Sequence, residues 1–202
     1  MTRVTVLPLT KDRWDDLVEL FGRPGGSIVR HCWCMHYRRT GAGSHGASGE
    51  GNKRAMKSLV DSGYVPGLIG YKAGRPVGWI SLGPREDYHR LERSPVMKRV
   101  DDRPVWSIIC FFVDARERGR GISKALLKAG IDFARSHGAT LLEAYPIDKR
   151  ERSHPDFMWF GAKGMYDRTG FKEVARRKKT RPVMRRKLRP LTKTSVKGKH
   201  AP

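Results

Sequence analysis

Apolar residues gather along the chain in short runs between polar and glycine-rich stretches, and the spacing inside each run predicts its element. Residues 4–7 alternate as a short strand does. Residues 10–21 follow as a helix, with Trp14, Leu17, Val18 and Phe21 on one face, Thr10 as its candidate cap and acidic residues in its first turns. The glycine- and serine-rich residues 40–51 read as a mobile loop, either a lid or a connector. Residues 52–62 read as a helix that Gly63 ends. Two apolar runs, 67–71 and 76–82, flank Lys72-Ala73-Gly74-Arg75, the pattern of a hairpin whose turn Gly74 supplies. Residues 84–104 are polar and charged, an irregular connection with at most a short helix.

The next segment is the most informative. A buried strand at 106–113 runs into Asp114-Ala115-Arg116-Glu117-Arg118-Gly119-Arg120-Gly121 and then into a helix at 122–137. Ile122, Leu126, Ala129, Ile131 and Phe133 supply much of the helix's apolar surface, and Gly138 stops it. A strand at 140–145, a short helix at 160–169 and strands at 171–177 and 182–188 complete the pattern. No internal repeat is present, and the order of elements predicts a mixed α/β sheet protein.

A length of 202 residues suits one domain over 1–189, followed by a polar, basic tail at 190–202 that is expected to be disordered. The 42 Lys and Arg outnumber the 20 Asp and Glu, for a net charge of +22. Such a surface attracts anions of many kinds, including nucleic acid and polyphosphate cofactors; a solvated basic face explains it equally well. Cys32, Cys34 and Cys110 are too few and too uneven for a disulfide framework. Residues 1–6 lack the apolar stretch of a signal peptide, and no run is long enough to span a bilayer, so a cytoplasmic protein without membrane contact is expected.

A strand that delivers a glycine-rich turn into a helix aims several N–H groups and the positive end of the helix dipole at one point, which suits phosphate. Gly119 and Gly121 leave room at the main chain, and Arg118 and Arg120 add charge. The turn lacks both the Gly-Lys-Ser/Thr ending of a P-loop and the third glycine of a dinucleotide fingerprint. Val113 followed by Arg118-Gly119-Arg120-Gly121-Ile122-Ser123 at a helix start resembles the central signature of the Gcn5-related N-acetyltransferase (GNAT) family, Arg/Gln-x-x-Gly-x-Gly/Ala. Ser123 stands where that family has Gly or Ala; Arg116-Glu117-Arg118-Gly119-Arg120-Gly121 fits the same pattern two residues earlier, but the distance from Val113 favours the later register. Tyr166-Asp167-Arg168-Thr169-Gly170-Phe171 resembles the family's second landmark, an aromatic residue, polar residues and Gly-Phe.

The resemblance implies a mainly antiparallel central sheet flanked by helices, the acyl-CoA N-acyltransferase fold. It also implies acetyl-CoA as cosubstrate, with its pyrophosphate at Arg118, Gly119, Arg120, Gly121, Ile122 and Ser123. The backbone of Phe112 and Val113 would hold the pantetheine arm as an added strand would. Tyr166 is implied as the acid that protonates the departing thiolate; the alternative is a core aromatic packed on Phe171. Direct attack needs a neutral amine, which costs a lysine-like group roughly 4 kcal/mol near pH 7.4, and positioning contributes more than that.

Glu143 interrupts an apolar strand beside the cofactor cleft and is the candidate base, since apolar surroundings raise a carboxyl pKa. A strand-edge or outward-facing glutamate is the other reading of Glu143, and Glu86, Asp87, Asp148, His154 or a water chain are alternative bases. His31-Cys32-Trp33-Cys34-Met35-His36 has four metal-ligand types in poor spacing for zinc, so an apolar cluster is expected and no metal. Trp33, Met35 and Tyr37 are candidates for lining an acceptor pocket within the variable region 1–65. The acceptor, a small molecule or a protein amine, is not specified. A binding module for nucleic acid or ribosome and an aminoglycoside-type acetyltransferase are the rival readings, although cationic aminoglycosides suit so basic a protein poorly.

Overall fold

Residues 4–23, 26–39, 49–149, 154 and 158–189 are described by a computed structural model of the protein. Seven strands, β1 (Val4–Pro8), β2 (Gly67–Lys72), β3 (Arg75–Pro84), β4 (Trp106–Val113), β5 (Leu141–Ala144), β6 (Lys172–Lys178) and β7 (Arg181–Lys187), form one sheet. Their order is β1-β2-β3-β4-β5-β7-β6. Neighbours are antiparallel except β4 and β5, which run parallel because the helix α4 (Ile122–Ser136) carries the chain between them. The remaining helices are α1 (Trp14–Gly22), α2 (Ser27–Cys32), α3 (Gly49–Asp61) and α5 (Lys163–Asp167).

One sheet face is covered by α4, whose Ile122, Leu126, Leu127, Ile131 and Ala134 are buried against Ile80, Ile108, Phe111, Leu142 and Met184. Each such leucine or isoleucine contributes about 1.5–3 kcal/mol by leaving water. Small residues let the layers approach: a Cβ on Gly78 would lie 2.8 Å from Ile122 Cγ2, and one on Gly130 would lie 2.9 Å from Ile80 Cδ1. The opposite face is covered by α1, α2 and α3, where Leu17, Phe21, Trp33, Met56 and Val60 pack on Ile69, Trp79, Cys110 and Phe112. Farther along that face, Tyr88, Leu91, Ile109, Tyr145, Phe160 and Val183 form a third cluster.

The register of β4 shifts once. Ser81 pairs with Cys110 and Leu82 with Ile108, so Ile109 is an extra residue, and both it and Cys110 lie on the face away from α4. The hairpin turn places Ala73 as well as Gly74 at positive φ. The element order matches expectation with one addition, α2, which is too short for its periodicity to register. Thr10 does not cap α1: its hydroxyl accepts from Arg13 Nη1 at 2.5 Å, and a 3-10 turn at Lys11–Arg13 precedes the helix. The loop expected at 40–51 begins outside the described residues, and from Gly49 it is already helix. The tail at 190–202 also lies outside them.

Candidate active site

The turn between β4 and α4 is fixed by Asp114. Its Oδ1 accepts from the Arg116 N–H at 3.0 Å and its Oδ2 from Arg23 Nη1 at 3.0 Å. Arg118 Nε reaches back to the Val113 carbonyl at 3.2 Å, while Arg120 lies outward beside Glu117 at 3.2 Å. Gly119 and Gly121 have φ of +77° and +78°, with nothing within 4 Å of where a Cβ would stand. Backbone conformation, not crowding, therefore demands glycine at both places. No side chain caps α4, so the leading N–H groups at Ile122 and Ser123 face outward from a 15-residue helix. Ile122 anchors this end through its buried side chain.

Parallel pairing of β4 with β5 covers only Trp106–Ile108 against Leu142–Ala144, and beyond it the strands separate. Asp114 N–H donates to Val77 at 3.0 Å, so by alternation Phe112 faces β3, and Phe111 and Val113 present their polar groups at the opened edge. The main chain of Phe112, expected to hold a cofactor arm, is therefore committed within the sheet. Phe111 N–H donates to the Trp159 carbonyl at 2.6 Å. Two further bonds, Ile147 N–H to Gly161 at 2.9 Å and Lys163 N–H to Ile147 at 3.0 Å, tie the same segment to the continuation of β5. The wedge between the two strands thus holds a piece of the chain's own backbone, and Val113 marks its mouth.

Tyr166 on α5 is fully buried. Its hydroxyl donates to the Phe160 carbonyl at 2.8 Å, and its ring stands edge-on to Phe171 and Phe111. Burial pushes the phenol far above its usual range, so it carries its proton at every working pH. That state suits an acid as well as a core residue, and the carbonyl to which the hydroxyl donates belongs to the residue next to Trp159, whose carbonyl occupies the wedge.

The surroundings of Glu143 are polar and charged, not apolar, which corrects the expectation drawn from its strand. The carboxylate has no exposure; Oε1 accepts from Arg85 Nη1 at 2.9 Å and from the Tyr145 hydroxyl at 2.6 Å, and Oε2 from Arg185 Nε at 2.7 Å. Two guanidinium groups and a phenol therefore occupy both carboxylate oxygens. Of the alternatives, Glu86 pairs with Arg99, Asp148 with Arg176, and Asp87 with Arg38 and the Tyr64 hydroxyl. His154 is exposed.

Trp33 and Met35 belong to the core, not to a pocket: Trp33 stacks on Trp14 at 5.6 Å between ring centroids, against Phe21. Tyr37 is half-buried 5.8 Å from the Phe160 ring. Trp33 and Cys34 both adopt positive φ, which wraps the chain so that the Trp79 indole N–H donates to Cys34 Sγ at 3.2 Å. Among the described residues no three His, Cys, Asp or Glu side chains are placed to hold a metal ion.

A mainly antiparallel seven-stranded sheet that opens between its one parallel pair, with an uncapped glycine turn at the mouth, defines an acyl-CoA N-acyltransferase fold. The Acetyltransferase (GNAT) family matches residues 33–171, and the chain belongs to that family. Its structure is similar to PaiA N-acetyltransferase from Thermoplasma acidophilum in complex with coenzyme A, at 15% identity and TM-score 0.52 over 92% of this chain and 99% of that one. It is similar too to yncA from Salmonella typhimurium with acetyl-CoA, at 17% identity and TM-score 0.53 over 92% and 94%. An agmatine N-acetyltransferase mutant in its apo form gives 13% identity and TM-score 0.53 over 92% and 99%. Among curated proteins none matches the chain.

Proposed function

We propose that the protein transfers an acetyl group from acetyl-CoA to a primary amine by direct attack. The observation that carries this reading is the junction of β4 with α4, where the opened strand edge and the uncapped helix start meet at Val113 to Ser123. The open space at Gly119 and Gly121 admits a pyrophosphate to the N–H groups of Ile122 and Ser123, with Arg118 and Arg120 beside it. Val113 offers an N–H and a carbonyl to the amide groups of the arm. Acetyl-CoA supplies the activated acyl group.

In this reading Phe111 N–H is the donor nearest the reacting carbonyl, and the Trp159 carbonyl leaves it when the cosubstrate enters. Tyr166 gives its proton to the departing sulfur once its bond to Phe160 is released. With Glu143, Glu86, Asp87 and Asp148 all held in ion pairs, the amine loses its proton to solvent water. The GNAT family, the fold and the coenzyme A complexes of the two similar structures support the assignment. A library of amines tested for free thiol release from acetyl-CoA, with the acetylated product identified by mass, checks it. Absence of acetyl-CoA binding in the folded protein would leave only a binding module.

A further inference from the structure

The β6–β7 ribbon is rich in arginine, and four of its side chains or their neighbours are anchored. Arg176 binds Glu173 and Asp148, Arg177 binds the carbonyls of Val96, Lys98 and Arg99, Arg185 binds Glu143 and Asp101, and Arg186 binds the Thr169 carbonyl. Arg181, the first residue of β7, differs from all of them. Its Nε is buried without a hydrogen-bond partner, and among the described residues no carboxylate pairs with it. Its guanidinium carbon lies 4.4 Å from the centroid of the Phe160 ring, and its Nη2 touches only the Met97 sulfur at 3.9 Å. The Tyr37 phenol is the polar neighbour, and burial pushes its pKa up to about 12, so it brings no charge at neutral pH. Burial lowers the Arg181 pKa against the opposing effect of Tyr37, which fits a cation that meets no carboxylate among the described residues.

The place of this cation matters. Val183 and Met184 lie on opposite sheet faces, with Met184 on the α4 side, so Arg181 shares the Val183 face with Tyr37 and Phe160. Phe160, on which Arg181 stacks, gives its carbonyl to Tyr166, and the residue before it gives its carbonyl to Phe111. Arg181 therefore stands behind the wedge on the face opposite α4, one aromatic ring away from the groups assigned to the transfer.

We infer that Arg181 receives a carboxylate of the acceptor, so that the amine acetylated is carried by a small amino carboxylate such as an amino acid. The inference rests on the acetyltransferase reading and adds a substrate class to it. A planar guanidinium matches a carboxylate edge to edge, and a monoanion neutralises one half-buried cation without leaving a surplus charge as a phosphate dianion would. A polycationic acceptor, by contrast, has to bring its charge beside an unpaired arginine in aromatic surroundings.

The test compares free amino acids with their carboxamides, and with phosphoethanolamine, as acceptors in the thiol-release assay, using the parent protein, Arg181→Met and Arg181→Lys. The parent is expected to favour an amino acid over its carboxamide by about 10- to 100-fold in kcat/KM, the range for a charge-assisted hydrogen bond. In Arg181→Met that preference falls to near unity through KM, and Arg181→Lys keeps an intermediate preference. Calorimetry of N-acetyl amino acids and their N-acetyl carboxamides on the coenzyme A complex gives the same comparison without turnover. Equal use or binding of carboxylate and carboxamide, a preference that survives in folded Arg181→Met, or a greater preference for phosphoethanolamine overturns the inference. Acetyl-CoA binding titrated on the same samples separates the readings: its loss sinks the acetyltransferase assignment, whereas its presence without carboxylate preference sinks only the role of Arg181.

Discussion

The N–H of Phe111 and the carbonyl of Trp159 are joined at 2.6 Å across the gap where β4 and β5 part. Entry of an acyl-pantetheine arm against β4 requires that bond to open, so Trp159 has to change its surroundings on binding. Its emission is expected to shift during titration with acetyl-CoA, and the shift should vanish in Trp159→Phe. The Phe111 amide should exchange slowly in the free protein. An unchanged shift in Trp159→Phe would mean that the arm binds elsewhere.

Gly121→Val places a β-branched side chain at a φ of +78° with no clash to relieve. The expected cost is about 1–2 kcal/mol of stability, together with a large loss of acetyl-CoA affinity in calorimetry. Gly121→Asn should lose less stability, since Asn tolerates that conformation. Full affinity in folded Gly121→Val removes the turn from the cofactor site.

Tyr166→Phe keeps the ring contacts with Phe111 and Phe171 but leaves the buried Phe160 carbonyl without its donor. Stability should fall by about 1–3 kcal/mol. If the hydroxyl protonates the thiolate, single-turnover acetyl transfer should fall about 100-fold with acetyl-CoA affinity nearly kept. Parental single-turnover rates in a variant that is merely less stable would assign Tyr166 to the core alone.

Glu143→Gln removes the anion from between Arg85 and Arg185, which keep Glu92 and Asp101 as their remaining carboxylate partners. The loss should be about 1–3 kcal/mol, read as a lower unfolding midpoint in urea. Acetyl transfer per folded molecule should persist. A variant of parental stability that no longer transfers would restore Glu143 as the base.

Acid should unfold the protein through carboxylates held in their charged form. Burial alone would raise Asp114, but the Arg116 N–H and the Arg23 guanidinium outweigh it and hold the carboxyl below its ordinary value of 3.8. Arg103, then Arg185, hold Asp101 lower still. A depressed folded pKa adds stability above the unfolded value and loses it as pH falls toward the folded one. Denaturant midpoints should therefore be level from about pH 7 to 5 and fall below about pH 4. Asp114→Asn should start lower and fall less steeply; an equally steep fall would exclude Asp114 as a contributor.

The strands and the long helix were legible because their signals are local. Residues 106–113 and the start of α4 at Ile122 match the spans read from hydrophobic runs and the glycine turn. The surroundings of Glu143 were misread for the opposite reason: Arg85 and Arg185 stand 58 and 42 residues away in the chain. A faint signal existed in Arg185, the first charged residue after the apolar Val183-Met184 pair, which complements a lone glutamate in another strand. Phe111 was passed over for Phe112 because the extra residue at Ile109 resets which positions face the gap, and no sequence pattern marks that bulge.

The sequence by itself determined the elements, the phosphate-type turn and the family resemblance, since each depends on residues within one turn or strand of one another. Tertiary structure alone decided which N–H groups reach the wedge, that Trp159 occupies it, that Glu143 lies between two arginines and that Arg181 Nε finds no partner among the described residues. Those outcomes depend on which distant segments the sheet brings side by side, and on whether a buried charge finds its partner there.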